Sequence, residues 1–238
     1  MQRRLPRLYL TERLSAEMSI ELDRAQAHYV LDVMRKKVGD QVRLFNGHDG
    51  EWLANIAEAG RKRCQLCLAQ PLRVQDNAPG PMLLFAPIKK ARVEMLVEKA
   101  TELGVGTLIP VRTRRAVVDK VNTTRLQAIA IEAAEQCERL TLPEIRELQS
   151  LESVLQQWPH DHHLYVADET GHGRPFIKAL GPQRPAAILI GPEGGFDSEE
   201  LEQLDKYQQV VKVGLGPNIL RAETAGIAVL ACLAAMDS

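Results

Sequence analysis

The chain has 238 residues, of which 45% are hydrophobic and 26% are charged, and its formal net charge is −1. This composition is typical of a soluble globular protein with a buried core. No stretch of the sequence approaches the roughly 20 apolar residues that a membrane span needs, and the basic start lacks the apolar run of a signal peptide. These observations exclude a membrane protein, and we expect a cytoplasmic one.

The N-terminal part is more basic than the rest of the chain. Residues 1–73 contain 13 Lys and Arg against 9 Asp and Glu, whereas the remainder contains 17 against 22. A basic N-terminal part next to an acidic C-terminal part suggests that the N-terminal part binds an anionic partner. A neutral protein can also divide its charges in this way by chance. Short alternating segments, one helix over 24–35 and a hairpin turn at 46–50 predict a small β-barrel domain at 1–73.

Two groups of residues resemble metal ligands, and both are weak candidates. Cys64 and Cys67 form a single CxxC on a predicted strand, where positions three apart face opposite sides, and no second CxxC completes a zinc site. The four residues HDHH at 160–163 follow Trp158 and Pro159 in a predicted loop. We predict that the protein holds no metal and that its four cysteines stay reduced.

Strands and helices alternate strictly in the C-terminal part. Residues 74–81 have the Pro, Gly and Asn content of a linker, and 82–238 then predict an α/β domain. Its strands are apolar throughout, which indicates a parallel sheet covered by helices on both faces.

Ligands of such sheets bind beyond the carboxyl ends of the strands. Loops at 167–173, 191–197 and 214–221 follow three predicted strands, and we expect them to form one composite pocket.

The second of these loops, GPEGGFD, does not suit a phosphate. A P-loop has Lys and Ser or Thr after its glycines, but Phe196 and Asp197 stand there. Pro192 removes a backbone donor, and Glu193 would repel phosphate. The loop favours a neutral or cationic ligand such as S-adenosylmethionine, although its glycines could also serve only a tight turn. Asp197 and Glu200 have the spacing of a helix capping box.

Several segments together identify a resemblance. EKATELGV, EAAEQCER followed by Pro143, LIGPEGGF and LGPNILRAETA are similar to the RsmE-like ribosomal RNA uridine-N3 methyltransferases of the SPOUT superfamily. RLYL and HYVLDVMRKKVGDQVRLFNGHDGEWLANI resemble the PUA-like RNA-binding domain of that family, so the resemblance covers nearly the whole chain. Asn218 and Ala116 depart from the family pattern, which commonly has arginine and serine at these positions.

The resemblance implies a fold, a cofactor and a partner. It implies a C-terminal SPOUT domain with a deep trefoil knot over about 164–238, a homodimer, and S-adenosylmethionine bound in a bent form by the three loops. Near the dimer interface we suspect the last helix, with its small residues. The expected cofactor-binding residues are Ile190, Gly191, Glu193, Gly194, Gly195, Val213, Leu215, Gly216, Ile219 and Leu220.

The resemblance also suggests roles in the reaction. N3 of uridine becomes nucleophilic when its proton leaves, and a nearby positive charge favours the anion. We expect Arg221, just before the last helix, to supply this charge, with Glu223 as its neighbour in the catalytic motif; a structural ion pair between the two is the alternative. The expected RNA-binding residues are Arg7, Arg35, Lys99, Glu102, Arg115, Gln136 and Arg139.

Two other functions stay open at this point. One is a SPOUT methyltransferase that acts on a transfer RNA, and the other is a non-catalytic RNA-binding or ribosome assembly factor with the same fold. For Lys99 and Glu102, which are one helical turn apart, simple pairing on a solvated face is also open.

Overall fold

The computed structural model describes residues 5–61, 63–116, 118, 120–168, 173–181 and 186–236. The chain divides into two compact units, of which the N-terminal unit contains Met1–Asn77 and Ala134–Leu142. The C-terminal unit contains Ala78–Ala133 and Pro143–Ser238. The first division falls inside the segment 74–81 that has linker composition. The sequence did not predict that Ala134–Leu142 would join the N-terminal unit.

The N-terminal unit is built on a five-stranded sheet with the order β1-β3-β4-β5-β2. Its strands β3 and β4 form the antiparallel hairpin that the turn at 46–50 predicts, whereas β1 lies parallel to β3. The described strand pairs do not join β1 to β2, so they make a sheet rather than a ring closed by hydrogen bonds. The bounds are β1 (Arg7–Tyr9), β2 (Ser19–Glu21), β3 (Gln41–Phe45), β4 (Glu51–Gly60) and β5 (Arg63–Arg73).

The predicted helix over 24–35 consists of two parts. Helix α1 (Arg24–His28) begins at a capping box formed by Asp23 and Gln26. A π-helical turn (Tyr29–Val33) follows directly. The helical conformation ends near Arg35, which adopts a left-handed backbone with φ of 54°. The segment leaves the apolar side chains of Val33 and Met34 exposed, which makes it a surface feature of this unit.

The two cysteines of the CxxC lie on opposite faces of β5, as the strand assignment predicts. Cys64 is fully buried in the core of the N-terminal unit, whereas Cys67 is half-buried. Burial raises the pKa of the Cys64 thiol, and a protonated thiol is a poor metal ligand. Among the residues that the structure describes, no cluster of His, Cys, Asp and Glu could hold a metal ion.

A buried arginine connects three segments of the N-terminal unit. The Arg7 side chain donates from Nε to Glu51 at 2.5 Å and from Nη2 to the carbonyl of Arg139 at 2.7 Å. Its guanidinium also lies 3.7 Å above the ring of Phe45. Arg7 and Glu51 are 5% and 1% exposed. The pair therefore holds the segment 134–142 against β1 and β4.

The C-terminal unit is a parallel α/β structure, as predicted. Its sheet has the order β11-β13-β10-β12-β6-β7-β8, and the additional strand β9 pairs with β7. Every described pair in it is parallel. The bounds are β6 (Met82–Phe85), β7 (Thr107–Arg112), β8 (Glu144–Ile145), β9 (Gln149–Ser150), β10 (Leu164–Ala167), β11 (Arg174–Pro175), β12 (Ala187–Ile190) and β13 (Val210–Gly214).

Helices cover both faces of this sheet. Along β6, Leu83 and Phe85 belong to one core cluster and Leu84 belongs to another. Because successive residues of a strand face opposite sides, the two clusters are the two faces of the sheet. The first cluster contains residues of α2 and α7, and the second contains residues of α4 and α6. The bounds are α2 (Lys90–Glu102), α3 (Thr123–Cys137), α4 (Leu151–Gln157), α5 (Phe176–Ala179), α6 (Ser198–Asp205) and α7 (Ala222–Met236).

Helices α2 and α7 approach each other closely at Gly226. A Cβ atom at this position would lie 2.7 Å from Cδ1 of Leu96, so a larger residue would require the Leu96 side chain to move. Glycine thus leaves room for Leu96 at this point of an otherwise apolar helix.

Several expectations about element bounds were wrong. The run TTRLQAIAIEAAEQCERL predicts a helix over 123–140, but α3 ends at Cys137, because Glu138 turns into the left-handed region with φ of 63°. Leu140 then packs against Phe45 in the N-terminal unit. The sequence did not predict the short elements β2, α4, β8, β9, β11 and α5. The segment HLYVADE predicts a strand over 163–169, but β10 ends at Ala167, and residues 169–172 lie outside the described residues.

In the described part of the chain, no helix combines the length and apolar character that a membrane crossing requires.

The buried Arg7–Glu51 pair generates a stability prediction. Arg7→Met should lower the free energy of unfolding of the N-terminal unit by about 3–5 kcal/mol, because it leaves a buried carboxylate without its main partner. Arg63→Met is the matched control, since its ion pair with Glu21 is exposed (71% and 55%) and contributes at most about 1 kcal/mol. Urea titration followed by circular dichroism measures both, and equal losses would contradict the structural role of Arg7.

Candidate functional site

The carboxyl ends of three neighbouring strands create the site. Strand β10 pairs in parallel with β12 on one side and with β13 on the other. Their last residues, Ala167, Ile190 and Gly214, therefore lie at the same edge of the sheet. The loops that follow these strands are the three loops that the sequence singles out.

A cavity of about 420 Å³ lies between the three loops. This volume is within the range of small-molecule sites, roughly 300–1,000 Å³. Residues from the ends of all three strands and from the start of α7 line it. The described lining residues are Ala167, Asp168, Gly173, Pro175, Ile190, Gly191, Pro192, Glu193, Gly195, Gly214, Leu215, Gly216, Pro217, Asn218, Ile219, Leu220, Ala222 and Ala225.

The second loop turns sharply before it enters α6. The N–H of Gly195 donates to the carbonyl of Pro192 at 2.9 Å, and Gly195 has a φ of 66°. A residue with a side chain rarely adopts this backbone conformation, so glycine is required here. The turn leaves Glu193 and Gly194 exposed at its apex.

A capping box fixes the end of this loop, as the sequence predicts. The N–H of Glu200 donates to Asp197 at 2.8 Å, and the N–H of Asp197 donates to Glu200 at 3.0 Å. The second carboxylate oxygen of Glu200 accepts from the N–H of Arg114 at 2.8 Å. Glu200 is 4% exposed, so this buried carboxylate ties α6 to the loop after β7. The Arg114 side chain pairs with Glu199 and Asp197, and the Glu199 carboxylate raises the pKa of Arg114.

The cavity has acidic and apolar walls. Asp168 and Glu193 contribute carboxylates, and Ile190, Leu215 and Leu220 contribute apolar surface. Among the described lining residues, none is Lys, Arg or His. Such a surface favours a cationic ligand with an apolar part and repels an isolated phosphate.

The structure brings together most of the residues expected to bind a cofactor. Val213 is fully buried in the core below the cavity, and Gly194 points its carbonyl at Arg115; neither of them lines the cavity. The expected residues that do line it are Ile190, Gly191, Glu193, Gly195, Leu215, Gly216, Ile219 and Leu220.

Arg221 and Glu223 do not pair with each other. Arg221 is exposed and its carbonyl accepts the first hydrogen bond of α7, from Ala225 at 2.8 Å. None of the described residues pairs with its side chain. Glu223 is 4% exposed, and its Oε1 lies 3.5 Å from Nε of Arg92 instead. The ion pair considered as an alternative role for Arg221 is therefore absent from the described part of the chain.

Arg92 is a residue of this site that the sequence reasoning missed. It lies in the first turn of α2, where its Nη1 donates to Glu193 of the second loop at 3.0 Å. The same guanidinium reaches Glu223 in the first turn of α7. Its only signal in the sequence is a basic residue near the start of a helix, and many surface helices share that signal.

Three of the expected RNA-binding residues lie in the C-terminal unit. Lys99 pairs with Glu98 at 2.7 Å and with Glu102 at 2.9 Å, and these carboxylates raise the pKa of Lys99. This is the pairing on a solvated helix face that the spacing allows. Arg115 is exposed and donates to the carbonyl of Gly194 at 2.8 Å, which places it beside the second loop.

The other four lie in the N-terminal unit, and the prediction for Arg7 was wrong. A phosphate contact requires an accessible guanidinium, whereas that of Arg7 is buried and bound to Glu51 and backbone carbonyls. Arg35 and Gln136 are exposed. Arg139 is half-buried and donates to Thr141 at 2.9 Å, and burial lowers the pKa of its guanidinium.

Two family models match the chain. A model described as an RNA methyltransferase domain matches residues 78–234. A model described as an RNA methyltransferase PUA domain matches residues 22–66.

Whole-length relatives carry a consistent description. The chain is 36% identical to the ribosomal RNA small subunit methyltransferase E of Rickettsia conorii, over 94% of this chain and 93% of the relative. It is 28% identical to the protein of the same name from Bacillus subtilis, over 87% and 86%.

Solved structures of similar proteins hold the same small molecule. The ribosomal RNA small subunit methyltransferase E of Neisseria gonorrhoeae, bound to S-adenosyl methionine, has a TM-score of 0.88 at 26% identity over 98% of both chains. A methyltransferase structure from Legionella pneumophila, with bound SAM, has a TM-score of 0.87 at 30% identity over 98% of both chains.

The capping box yields a prediction for the site. Glu200→Ala should lower the free energy of unfolding by about 2–3 kcal/mol, because two backbone N–H groups lose their buried acceptor. Glu202→Ala, at an exposed position of the same helix, should cost less than about 0.5 kcal/mol. Thermal and urea unfolding of the two variants compare them, and similar losses would show that the capping box does not hold this loop.

Proposed function

Because this chain belongs to the RNA methyltransferase family, we propose that it transfers a methyl group from S-adenosylmethionine to N3 of a uridine in small-subunit (16S) ribosomal RNA. The observation that carries this proposal is the acidic, apolar cavity at the ends of β10, β12 and β13, beside which lies Arg221, whose side chain pairs with none of the residues that the structure describes. The named relatives, which are small-subunit ribosomal RNA methyltransferases, support the substrate class.

The residues of the cavity fit the cofactor. S-adenosylmethionine is cationic at its sulfonium and its ammonium, and it supplies an electrophilic methyl group when bound. The carboxylates of Asp168 and Glu193 favour these charges, while Ile190, Leu215 and Leu220 offer apolar surface for the remainder. The glycine-rich loops present backbone groups without side chains in the way, so polar groups of the cofactor can reach them.

Arg221 is suited to prepare the acceptor. Uridine N3 must lose its proton before it can attack a methyl group, and a guanidinium beside N3 and O4 lowers the pKa of that proton. The N-terminus of α7 adds positive potential at the same place. Glu223 pairs with Arg92 rather than with Arg221, so the Arg221 charge remains available for the base.

Several residues outside the cavity are proposed to contact the RNA. Arg35 stands on the N-terminal unit, next to the exposed π-helical turn, where a guanidinium can hold a phosphate bidentately. Arg115 lies beside the second loop, close enough to the cavity to contact nucleotides that flank the target. Lys99, Glu102, Gln136 and Arg139 complete the proposed RNA contacts; for Lys99 and Glu102 the observed pairing is an alternative role.

The proposal includes a homodimer and a knotted C-terminal segment. Helix α7 has Glu223 as its only charged residue, yet Ala231 and Ala235 are exposed. An apolar helix with an exposed side fits burial against a second copy. A trefoil knot over about 164–238 would bring its loops to the ends of β10, β12 and β13. An enzyme of this substrate class acts in the cytoplasm, where the ribosomes are.

A reconstitution experiment tests the function. The purified chain, supplied with S-adenosylmethionine and with small subunits from cells that lack the encoding gene, should produce N3-methyluridine at one position of the 16S RNA. Mass spectrometry of nuclease fragments identifies the base and the position. Methylation of transfer RNA instead, or binding to RNA without any methylation, would contradict the proposal and favour one of the two alternative functions.

Arg221→Ala tests the role of the guanidinium. The variant should lose methyl transfer by at least about a thousandfold, as expected when a group that acts on the transition state is removed. Its affinity for S-adenosylmethionine, measured by calorimetry, should stay within about threefold of the unmodified protein. Arg146→Ala, at another exposed arginine of the same unit that pairs with Glu144, is the control. Near-normal turnover of Arg221→Ala would rule out its role.

A further inference from the structure

We propose that Arg92 is a positioning residue that fixes the second cofactor loop to the start of α7, and that cofactor affinity depends on this tie. The inference rests on the proposed function, because it takes S-adenosylmethionine as the ligand of the cavity. Arg92 does not itself line the cavity, whereas its partner Glu193 does.

One guanidinium joins two segments that are distant in sequence. The Nη1 atom of Arg92 lies 3.0 Å from Glu193, and its Nε atom lies 3.5 Å from Glu223. The loop after β12 and the first turn of α7 are thereby connected through α2. Arg115 contacts the same loop from another segment, at the carbonyl of Gly194, so the two arginines hold adjacent residues of its apex.

The Glu223 end of the tie is buried. The Glu223 side chain is 5% exposed, and its Oε2 atom is buried without a hydrogen-bond partner among the described residues. A buried carboxylate needs a compensating cation, and Arg92 is the cation beside it. This requirement fixes where Arg92 can lie, and thereby where it can hold Glu193.

The close approach of α2 and α7 makes this geometry possible. Leu96 follows Arg92 by one helical turn, and Gly226 follows Glu223 by about one turn. A Cβ atom at Gly226 would lie 2.7 Å from Cδ1 of Leu96. The glycine therefore leaves room for the Leu96 side chain between the two helices, about one turn after the ion pair.

When Arg92 is removed, the change in net charge and the loss of order in the second loop should have opposite effects on cofactor affinity. Loss of a cation makes the rim of the cavity more negative, which alone would strengthen the binding of a cationic cofactor by about two- to fivefold at a partly exposed site. Release of the loop costs affinity, because binding must then order its backbone again. We expect the second effect to prevail, with about tenfold weaker binding.

A double-mutant cycle on the full chain tests the tie, with calorimetric titration of S-adenosylmethionine as the measurement. Arg92→Ala should weaken binding by about tenfold, and Glu193→Gln, which also removes a carboxylate of the cavity, should weaken it by about tenfold or more. Adding Arg92→Ala to Glu193→Gln should weaken binding by no more than about a further twofold. Arg92→Lys should recover affinity to within about threefold, since an ammonium can still pair with Glu193.

Two further variants separate positioning from stability. Arg125→Ala removes an exposed pair between Arg125 and Glu94 of α2, away from the cavity, and should leave affinity within twofold. Arg92→Ala combined with Glu223→Gln should regain the thermal stability that Arg92→Ala loses, because the neutral amide needs no cation, but should not regain cofactor affinity.

The outcomes are distinguishable. Unchanged or tighter binding by Arg92→Ala, strictly additive losses in the cycle, or recovery of affinity together with stability in Arg92→Ala/Glu223→Gln would each overturn the positioning role. If the unmodified protein binds no S-adenosylmethionine, it is the proposed function that fails.

Discussion

The parallel pairing of β10 with both β12 and β13 is the constraint on which the site depends. It places the ends of three strands side by side, although the strands are separated in the chain by other elements. Three loops that are individually ordinary then share one cavity. Without this register, Glu193, Asp168 and Leu220 would not line the same cavity. The apolar character of these strands, which core packing requires, is thus also what assembles the binding site.

Charge divides the site into regions with different tasks. The cavity presents carboxylates, whereas the exposed arginines at its edge, Arg221 and Arg115, present cations. A positively charged methyl donor and a negatively charged nucleic acid could therefore use adjacent surfaces without competing for the same groups. Arg92 is neutralised by two carboxylates, so it serves the arrangement of the loops rather than the field that an RNA would meet.

The sequence predicts the alternation of the C-terminal unit, its parallel sheet and the cavity between three loops, because apolar strands and glycine-rich turns have strong local patterns. It also predicts the capping box at Asp197 and Glu200. Arg7, by contrast, has the same sequence signal as a surface arginine, and only the tertiary structure shows that Glu51 and Phe45 bury it. Arg92 was missed for a related reason, since its partners lie 101 and 131 positions away in the chain. Short elements such as β8 and β9 carry too few residues for a periodic pattern.

The excursion of Ala134–Leu142 gives the chain an unusual connectivity. The backbone passes between the two units at 77–78, again at 133–134 and once more at 142–143. A protease that cut only the Pro- and Gly-containing segment 74–81 would leave two fragments that are no longer covalently linked. They would stay associated, because residues 134–142 of the second fragment contact Arg7 and Phe45 of the first. An isolated piece ending at residue 73 would lack the backbone carbonyls that receive Arg7 and the leucine that covers Phe45. The N-terminal unit is thus discontinuous in sequence, and a fragment that contains all of it must also include Ala78–Ala133 of the C-terminal unit.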